Sequence, residues 1–575
     1  MTPIRSARTV LVSSIILSLS FPAYAKTPVA TGTGGAVATI SEPASKAALA
    51  ILNKGGNAID AAVAAAATLG VTDPFSCGIG GGGFMVIYLA KDKRVITIDH
   101  RETAPAAFTP AVFQENGKAM DFETAVASGR SVGVPGTVRG WHEALDRYGS
   151  MSFKQVLAPA IAVASDGFKV NDNFSHLVEG NVGKFSKFPA TAALYLKNGK
   201  AIAAGTTLRN PDLAKAYRDL AAGGVKAFYQ GKMAKAVADA VQANGGKVTL
   251  ADLSNYEARL RQPVHSTYRG YDLYGMPLPS SGGVAVAEAL NILEGYDLKS
   301  MPREKAEHLY LEASRLAFAD RNAYLADPEY VEAPVAGLIS KEYAARRREL
   351  INPAQASVQA PAGDPYPFQN DVSYPLRPNA NKLLAEGAHT THLTVSDKDG
   401  NIVSYTYTIE SWGGSGIVVP GYGFLLNNEM TDFDFSGPHP NVPEAGKRPR
   451  SSMSPTLAFK DGKPAFSVGS PGGATIITTV LQTIFNYVDL GMSMADAVNA
   501  PRLSERNGMA TDVEPGFVGS AQARALEKTG QHWDQNPEEI GAANALVFNP
   551  DGTVTAVSEG KRHGVGSALV QKSAH

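Results

Sequence analysis

The sequence predicts a mixed α+β protein. Apolar residues recur at helical spacing in several stretches, and alternating segments flank turn residues in pairs, most densely toward the end of the chain. With 575 residues the chain is long enough to bury a large core, and length alone allows about two to four domains.

The first element is a targeting signal. Arg5 and Arg8 precede a mostly apolar run from Thr9 to Phe21, and Ala23-Tyr24-Ala25 is a small-x-small cleavage site. The run is short for a membrane span. Removal of residues 1–25 is expected to leave a periplasmic or secreted protein, and no membrane association is predicted for it. A helix follows over Glu42–Lys54, with Ala44, Ala47, Ala48, Ile51 and Leu52 on one face, Pro43 in the first turn and Gly55 at the stop. Asn57 and Asp60 then cap a second, alanine-rich helix, and Phe84–Leu89 and Arg94–Ile98 form a hairpin around a Lys-Asp-Lys loop. Arg101 lies just past that hairpin, where binding residues often sit. Leu309–Leu325 is helical again, and more helices are expected near 475–499 within a strand-rich last third. No internal repeat is evident.

Asn352–Ala388 is rich in Pro, Asn, Ala and Gly and lacks any period, so it reads as a long loop. It runs into HTTHLTVSDKDGNIVSYTYTIE (His389–Glu410), a hairpin that opens on a threonine. A three-residue Lys398-Asp399-Gly400 loop sets Thr390 opposite Thr408, with Glu410 just beyond. A two-residue Asp399-Gly400 loop would flip the faces. The first register sets two hydroxyls side by side. A loop leading into a threonine-first strand fits an N-terminal nucleophile: cutting before Thr390 frees an α-amine, of ordinary pKa about 7.7–8.0, beside its own hydroxyl. Taken alone, the segment fits an ordinary hairpin equally well.

Several classes are excluded. A net charge of −1 and the lack of any aromatic-interleaved basic stretch argue against nucleic acid. The single Cys77 forms no internal disulfide, and its apolar neighbours predict burial. Gly78-Ile79-Gly80-Gly81-Gly82-Gly83 matches G-x-G-x-x-G, but it follows a helix and precedes a strand, the reverse of a dinucleotide site. A tight approach of backbone to another element is the better reading. His389 and His392, three apart on a strand, point to opposite faces, so no metal site is expected, and no cofactor.

DHRETAP around Arg101, TTH at Thr390, LLNNEMTDF (Leu425–Phe433), KRPRSSMSPT (Lys447–Thr456) and GSPGG (Gly469–Gly473) resemble motifs of the γ-glutamyltranspeptidase family, in its order. EPASKAALAILNKGGNAIDAAVA, GIGGGGF, SVGVPGTVRG, LPSSGG and EASRLAFADRNAYLADP extend the resemblance over nearly all of the chain after residue 30. It implies the N-terminal-nucleophile αββα sandwich, built by a large fragment 26–389 and a small fragment 390–575 that stay associated after self-cleavage between His389 and Thr390. It implies Thr390 as nucleophile, supported by Thr408, with Gly472 and Gly473 as oxyanion hole. Arg101, Ser451 and Ser452 would clamp a substrate α-carboxylate, and Glu410, Glu429 and Asp432 would meet its α-ammonium. Donors such as glutathione, and amino acid or dipeptide acceptors, follow.

Two departures stand out. Some relatives carry an amide where Glu410 and Glu429 stand here, which makes this pocket more anionic. Only 434–446 separates Phe433 from Lys447, shorter than the lid of better-known bacterial relatives. The rival readings are a glutaryl-type acylase or poly-γ-glutamate hydrolase of the same fold and, from another class, a non-catalytic periplasmic glutamyl-peptide binding protein.

Overall fold

A computed structural model describes residues 27–369, 389–560, 562 and 566–572. The predicted targeting signal at 1–25 and residues 370–388 of the predicted loop before Thr390 lie outside the described residues. Two seven-stranded antiparallel sheets stack face to face. Their strands in chain order are β1 (Val29–Gly32), β2 (Ala36–Thr39), β3 (Gly82–Leu89), β4 (Arg94–Asp99), β5 (Arg259–Arg261), β6 (Val264–Tyr268) and β7 (Tyr271–Gly275). These are followed by β8 (Thr391–Ser396), β9 (Ile402–Thr408), β10 (Thr456–Lys460), β11 (Lys463–Gly469), β12 (Asn544–Phe548), β13 (Val554–Ser558) and β14 (Ser567–Val570). The first sheet runs β5-β4-β3-β9-β8-β2-β14 and the second β1-β13-β12-β11-β10-β7-β6.

Helices cover both outer faces. Helices α1 (Glu42–Asn53) and α2 (Ala58–Thr72) pack on the first sheet, and α3 (Gly282–Leu293), α4 (Arg303–Tyr324) and α5 (Thr475–Val488) form the layer over the second. This is the αββα sandwich the resemblance implied. The caps are those the sequence predicts. Asn57 Oδ1 accepts from the Ile59 and Asp60 amides, and Asp60 Oδ2 accepts from Asn57 N at 2.9 Å, a reciprocal cap for the alanine-rich α2. The helix predicted at 309–325 starts earlier, at Arg303.

The alternation in β8 and β9 has a different meaning from an ordinary half-buried hairpin. Both strands are buried throughout. Leu393, Val395, Val403, Tyr405 and Tyr407 join the core under α2. The polar residues between them face the other sheet: Thr394 Oγ1 lies 2.7 Å from Ser467 Oγ of β11, and the Asn544 amide of β12 donates to His392 O at 2.9 Å. These cross-sheet hydrogen bonds help to fix how the sheets are set against one another.

The Gly78–Gly83 run brings β3 into place. An ideal Cβ at Gly80, Gly81 or Gly83 would overlap the carbonyl oxygen of Leu425, Thr408 or Thr406 respectively. Gly81→Ala is therefore expected to cost about 1–3 kcal/mol, as overpacking does. Urea unfolding of an uncleaved Thr390→Ala background checks this. An unchanged midpoint would show that β3 can retreat from β9.

Candidate active site

The hairpin adopts the three-residue-loop register. Thr391 pairs with Tyr407 and Ser396 with Ile402, and Gly400 takes a φ of +89° in the turn. Thr390, just before β8, is thereby set beside Thr408, the last residue of β9. Thr390 Oγ1 donates to Thr408 Oγ1 at 3.3 Å, and Thr408 Oγ1 donates to the carbonyl oxygen of His389 at 2.9 Å. Thr408 Oγ1 also accepts from Glu410 N at 2.8 Å, so its one proton and both its lone pairs are engaged. His389 is stacked on Trp412 with ring centroids 3.7 Å apart.

Strand order brings the charged residues to the same edge. In β3, Gly82 pairs with Thr408 of β9, while Phe84 pairs with Asp99 of β4, so the segment after Asp99 and the end of β9 emerge together. Arg101 N donates to Asp99 Oδ1 at 3.0 Å, which fixes the turn out of β4. Glu410 follows β9 with a φ of +80°, an unusual backbone for a residue with a side chain. Ser411 Oγ donates to its carboxylate at 2.6 Å, and so does the Asn428 side chain. Glu429–Asp432 forms a short 3₁₀ turn.

Thr390, Thr408, His389, Arg101, Glu410, Glu429, Asp432, Ser451, Ser452 and Gly473 line one small cavity of about 20 Å³. Gly472 borders the adjoining outer cleft of about 590 Å³, which also has His389, Trp412 and the acids Asp512, Asp534, Glu538 and Glu539 on its walls. Gly472 and Gly473, with φ of +135° and +54°, lead into the first turn of α5, where helix backbone N–H groups favour negative charge.

The cation and the acids pair directly. Arg101 Nη1 bonds Glu429 and Nη2 bonds Asp432, while Nε and Nη2 also donate to the Pro449 and Arg450 carbonyls at 3.2 Å each. The family resemblance implies Arg101 and these acids at opposite ends of a zwitterion. In the fold, the buried guanidinium and these buried carboxylates neutralise one another. Burial alone would lower the Arg101 pKa, but Glu429 and Asp432 outweigh it and hold the guanidinium above its ordinary value. Burial pushes Glu410 up to about 8, with Asp432 adding to the rise and Ser411 and Asn428 opposing it. Burial raises Glu102 to about 8 as well, against the pull of Arg101, and drives Glu429 well above the carboxylate range.

The serines are held from behind. Ser281 N and Oγ both donate to Ser451 O at 2.7 Å. Arg321 donates to Ser281 Oγ at 2.8 Å and to Ser452 Oγ at 2.6 Å. LPSSGG and EASRLAFADRN thus act by supporting the site, a role their sequence alone did not reveal. Glu102, Asn428, Arg321 and Trp412 were also missed. Glu102 adjoins Arg101 in the sequence, and Trp412 lies close after Glu410; those positions were the available signals.

A profile described as gamma-glutamyltranspeptidase matches residues 44–569. The chain is 41% identical over 571 residues to a "Glutathione hydrolase proenzyme" of Bacillus subtilis (strain 168), covering 97% of each. It is 41% identical over 540 residues to an "Acylase ACY 1 proenzyme" of Pseudomonas sp. (strain SE83), covering 92% of each. Its structure resembles that of a cephalosporin acylase from Bacillus halodurans, with a TM-score of 0.85 and 27% identity, covering 98% of this chain and 100% of the other.

Proposed function

The chain belongs to the γ-glutamyltranspeptidase family, and from that premise we propose that it cuts itself between His389 and Thr390, then uses Thr390 to cleave γ-glutamyl amides such as glutathione. The observation that carries this reading is the chain of hydroxyls from Thr390 through Thr408 to the His389 carbonyl, set in one cavity with a buried cation and buried acids. In the uncut chain Thr408 polarises the His389 carbonyl, and Thr390 Oγ1 is the adjacent nucleophile. After cleavage the Thr390 α-amine takes the hydroxyl proton as Oγ1 attacks the γ-carbonyl of the donor. The Gly472 and Gly473 N–H groups receive the oxyanion. The amine leaves through the outer cleft, and water or an amino acid or dipeptide acceptor resolves the γ-glutamyl-Thr390 ester.

The head group carries both charges, so binding is an exchange of partners. The donor α-carboxylate takes Arg101, Ser451 and Ser452, and its α-ammonium takes Glu410, Glu429 and Asp432. Each half of the internal ion pair is thereby satisfied again. Fragments 26–389 and 390–575 form the working unit, exported after loss of 1–25.

The named acylase relatives favour a second reading, cleavage of glutaryl-type side chains. A glutaryl group has no α-ammonium, so the acid cluster would gain no new cationic partner from it. The short 434–446 segment is tied down: Asn441 Nδ2 donates to Asp432 O at 2.7 Å, and His439 Nε2 lies 2.9 Å from Asn322 O. An open site should tolerate bulk beyond the scissile amide and let water compete well with acceptors. A panel of a γ-glutamyl anilide, glutathione, an oligo-γ-glutamate and a glutaryl anilide decides among these. The three γ-glutamyl donors are expected within about tenfold of one another in kcat/KM, and the glutaryl compound at least ~10-fold below them, the loss of a charged contact. Preference for the glutaryl compound would overturn the γ-glutamyl assignment. Collapse on the oligomer alone would show that another element closes the site.

A further inference from the structure

Thr390 borders a second, smaller cavity that shares only His389 and Thr390 with the Arg101 pocket. Asp73, Ser76, Trp412 and Pro471 are among its other walls, and its volume of about 10 Å³ is roughly that of one water. Asp73 stands just past the end of α2. Ser76 Oγ donates to its Oδ1 at 3.0 Å. Its Oδ2 is sealed from solvent and bonds to nothing among the described residues. A buried carboxyl oxygen without a partner is costly, and a ligand or a water in the cavity would relieve that cost. Asp73 also borders an open cleft of about 340 Å³ on its other side.

The cleavage step has an unmet requirement. As the acyl carbon moves from the Thr390 nitrogen to Oγ1, the nitrogen must gain a proton. Thr408 has none to give, because its hydroxyl already donates to His389 O. We propose that Asp73 is the proton partner of the Thr390 nitrogen: it protonates that nitrogen as the His389–Thr390 bond breaks and holds the freed amine afterwards. The Oγ1–C bond forms as the C–N bond breaks. The Asp73 proton passes to nitrogen, directly or through one water, and the Oγ1 proton restores the carboxyl. A second water then splits the ester into the His389 carboxylate and the Thr390 hydroxyl. Burial lifts the Asp73 carboxyl to about 8, so it carries a proton near neutral pH. The other titratable groups lining these spaces are His389 on the inner side and Glu42 and Lys169 on the outer, with Cys77 one turn on.

This inference rests on self-cleavage at Thr390, and the two fail separately. Cutting of a Thr390→Ala chain would remove the cleavage reading itself. Cell-free synthesis followed by a cleavage time course tests Asp73, with thermal melting matched against uncut Thr390→Ala. Asp73→Asn keeps the shape and the Ser76 contact but has no carboxyl proton. It is expected to slow cleavage at least ~10-fold while melting normally. Asp73→Glu alters the shape but keeps the acid, and it is expected to restore cleavage at least in part. In the unaltered chain the rate should fall as pH rises through about 8, where Asp73 loses its proton. Normal cleavage in Asp73→Asn, or a failure in Asp73→Glu as deep as in Asp73→Asn, would overturn the proposal.

Discussion

Thr390→Ala is expected to remain one chain and to lose γ-glutamyl cleavage by on the order of 10⁴-fold or more, as removal of a covalent nucleophile does. The parent should instead run as fragments of about 38 and 20 kDa, taken from its mean residue mass. Both effects have one cause. On the proposed mechanism, the hydroxyl that sits 3.3 Å from Thr408 Oγ1 would attack the His389 carbonyl during cleavage and the donor carbonyl during turnover. Alanine leaves Thr408 bonded to His389 O with nothing to attack it. Thr390→Ser should still cut and turn over, more slowly, because it keeps the hydroxyl without the methyl that orients it. A gel and a donor assay settle the matter. An uncut Thr390→Ala protein with full activity would end the nucleophile assignment, and it is what a mere binding protein built on this fold could not produce.

Arg101→Lys is the second large effect. Lysine keeps the charge but loses the fork that reaches Glu429, Asp432 and the Pro449 and Arg450 carbonyls at once. kcat/KM for γ-glutamyl donors should fall at least ~10-fold, since a charged hydrogen bond is typically worth about 1.5–3 kcal/mol. Removing the charge altogether, as in Arg101→Met, leaves buried acids facing each other and should cost stability of about 3–5 kcal/mol. Asp432→Asn provides the complementary test. It should weaken donors with an α-ammonium and spare glutaryl analogues, which have none. Equal damage to both analogue classes would show that Asp432 acts by holding Arg101 and not by meeting the ammonium.

Much of this was legible in the chain. The Asp397–Asn401 turn cluster locates the hairpin but allows two registers; the pairing of the Thr390 and Thr408 hydroxyls selects the three-residue-loop register that β8 and β9 adopt. Pro43, Asn57 and Asp60 marked the helix starts by local chemistry. The direction in which the alternating residues face was not legible: period 2 says that faces differ, not whether the polar face meets water or a second sheet. Nor was the pairing of Arg101 with Glu429 and Asp432, which lie more than 300 positions away in sequence. Arg321 stands out by its bonds to Ser281 and Ser452, and Asp73 by the cavities it borders, and both are properties of the assembled layers.

Strand order has one last consequence. In the first sheet β9 and β8 of the later fragment are inserted between β3 and β2 of the earlier one; in the second, β1 and β7 flank four strands of the later fragment. Cutting the His389–Thr390 bond as proposed would leave every one of these ladders in place, so the nick would create two polypeptides but no readily dissociable interface. Mixing isotopically labelled with unlabelled processed protein should yield no hybrid pairs until the whole sandwich is denatured. The pieces should then behave as one cooperative folding unit that has gained an extra pair of chain ends. Making them separately and combining them afterwards would demand joint folding of both, not docking of two finished halves.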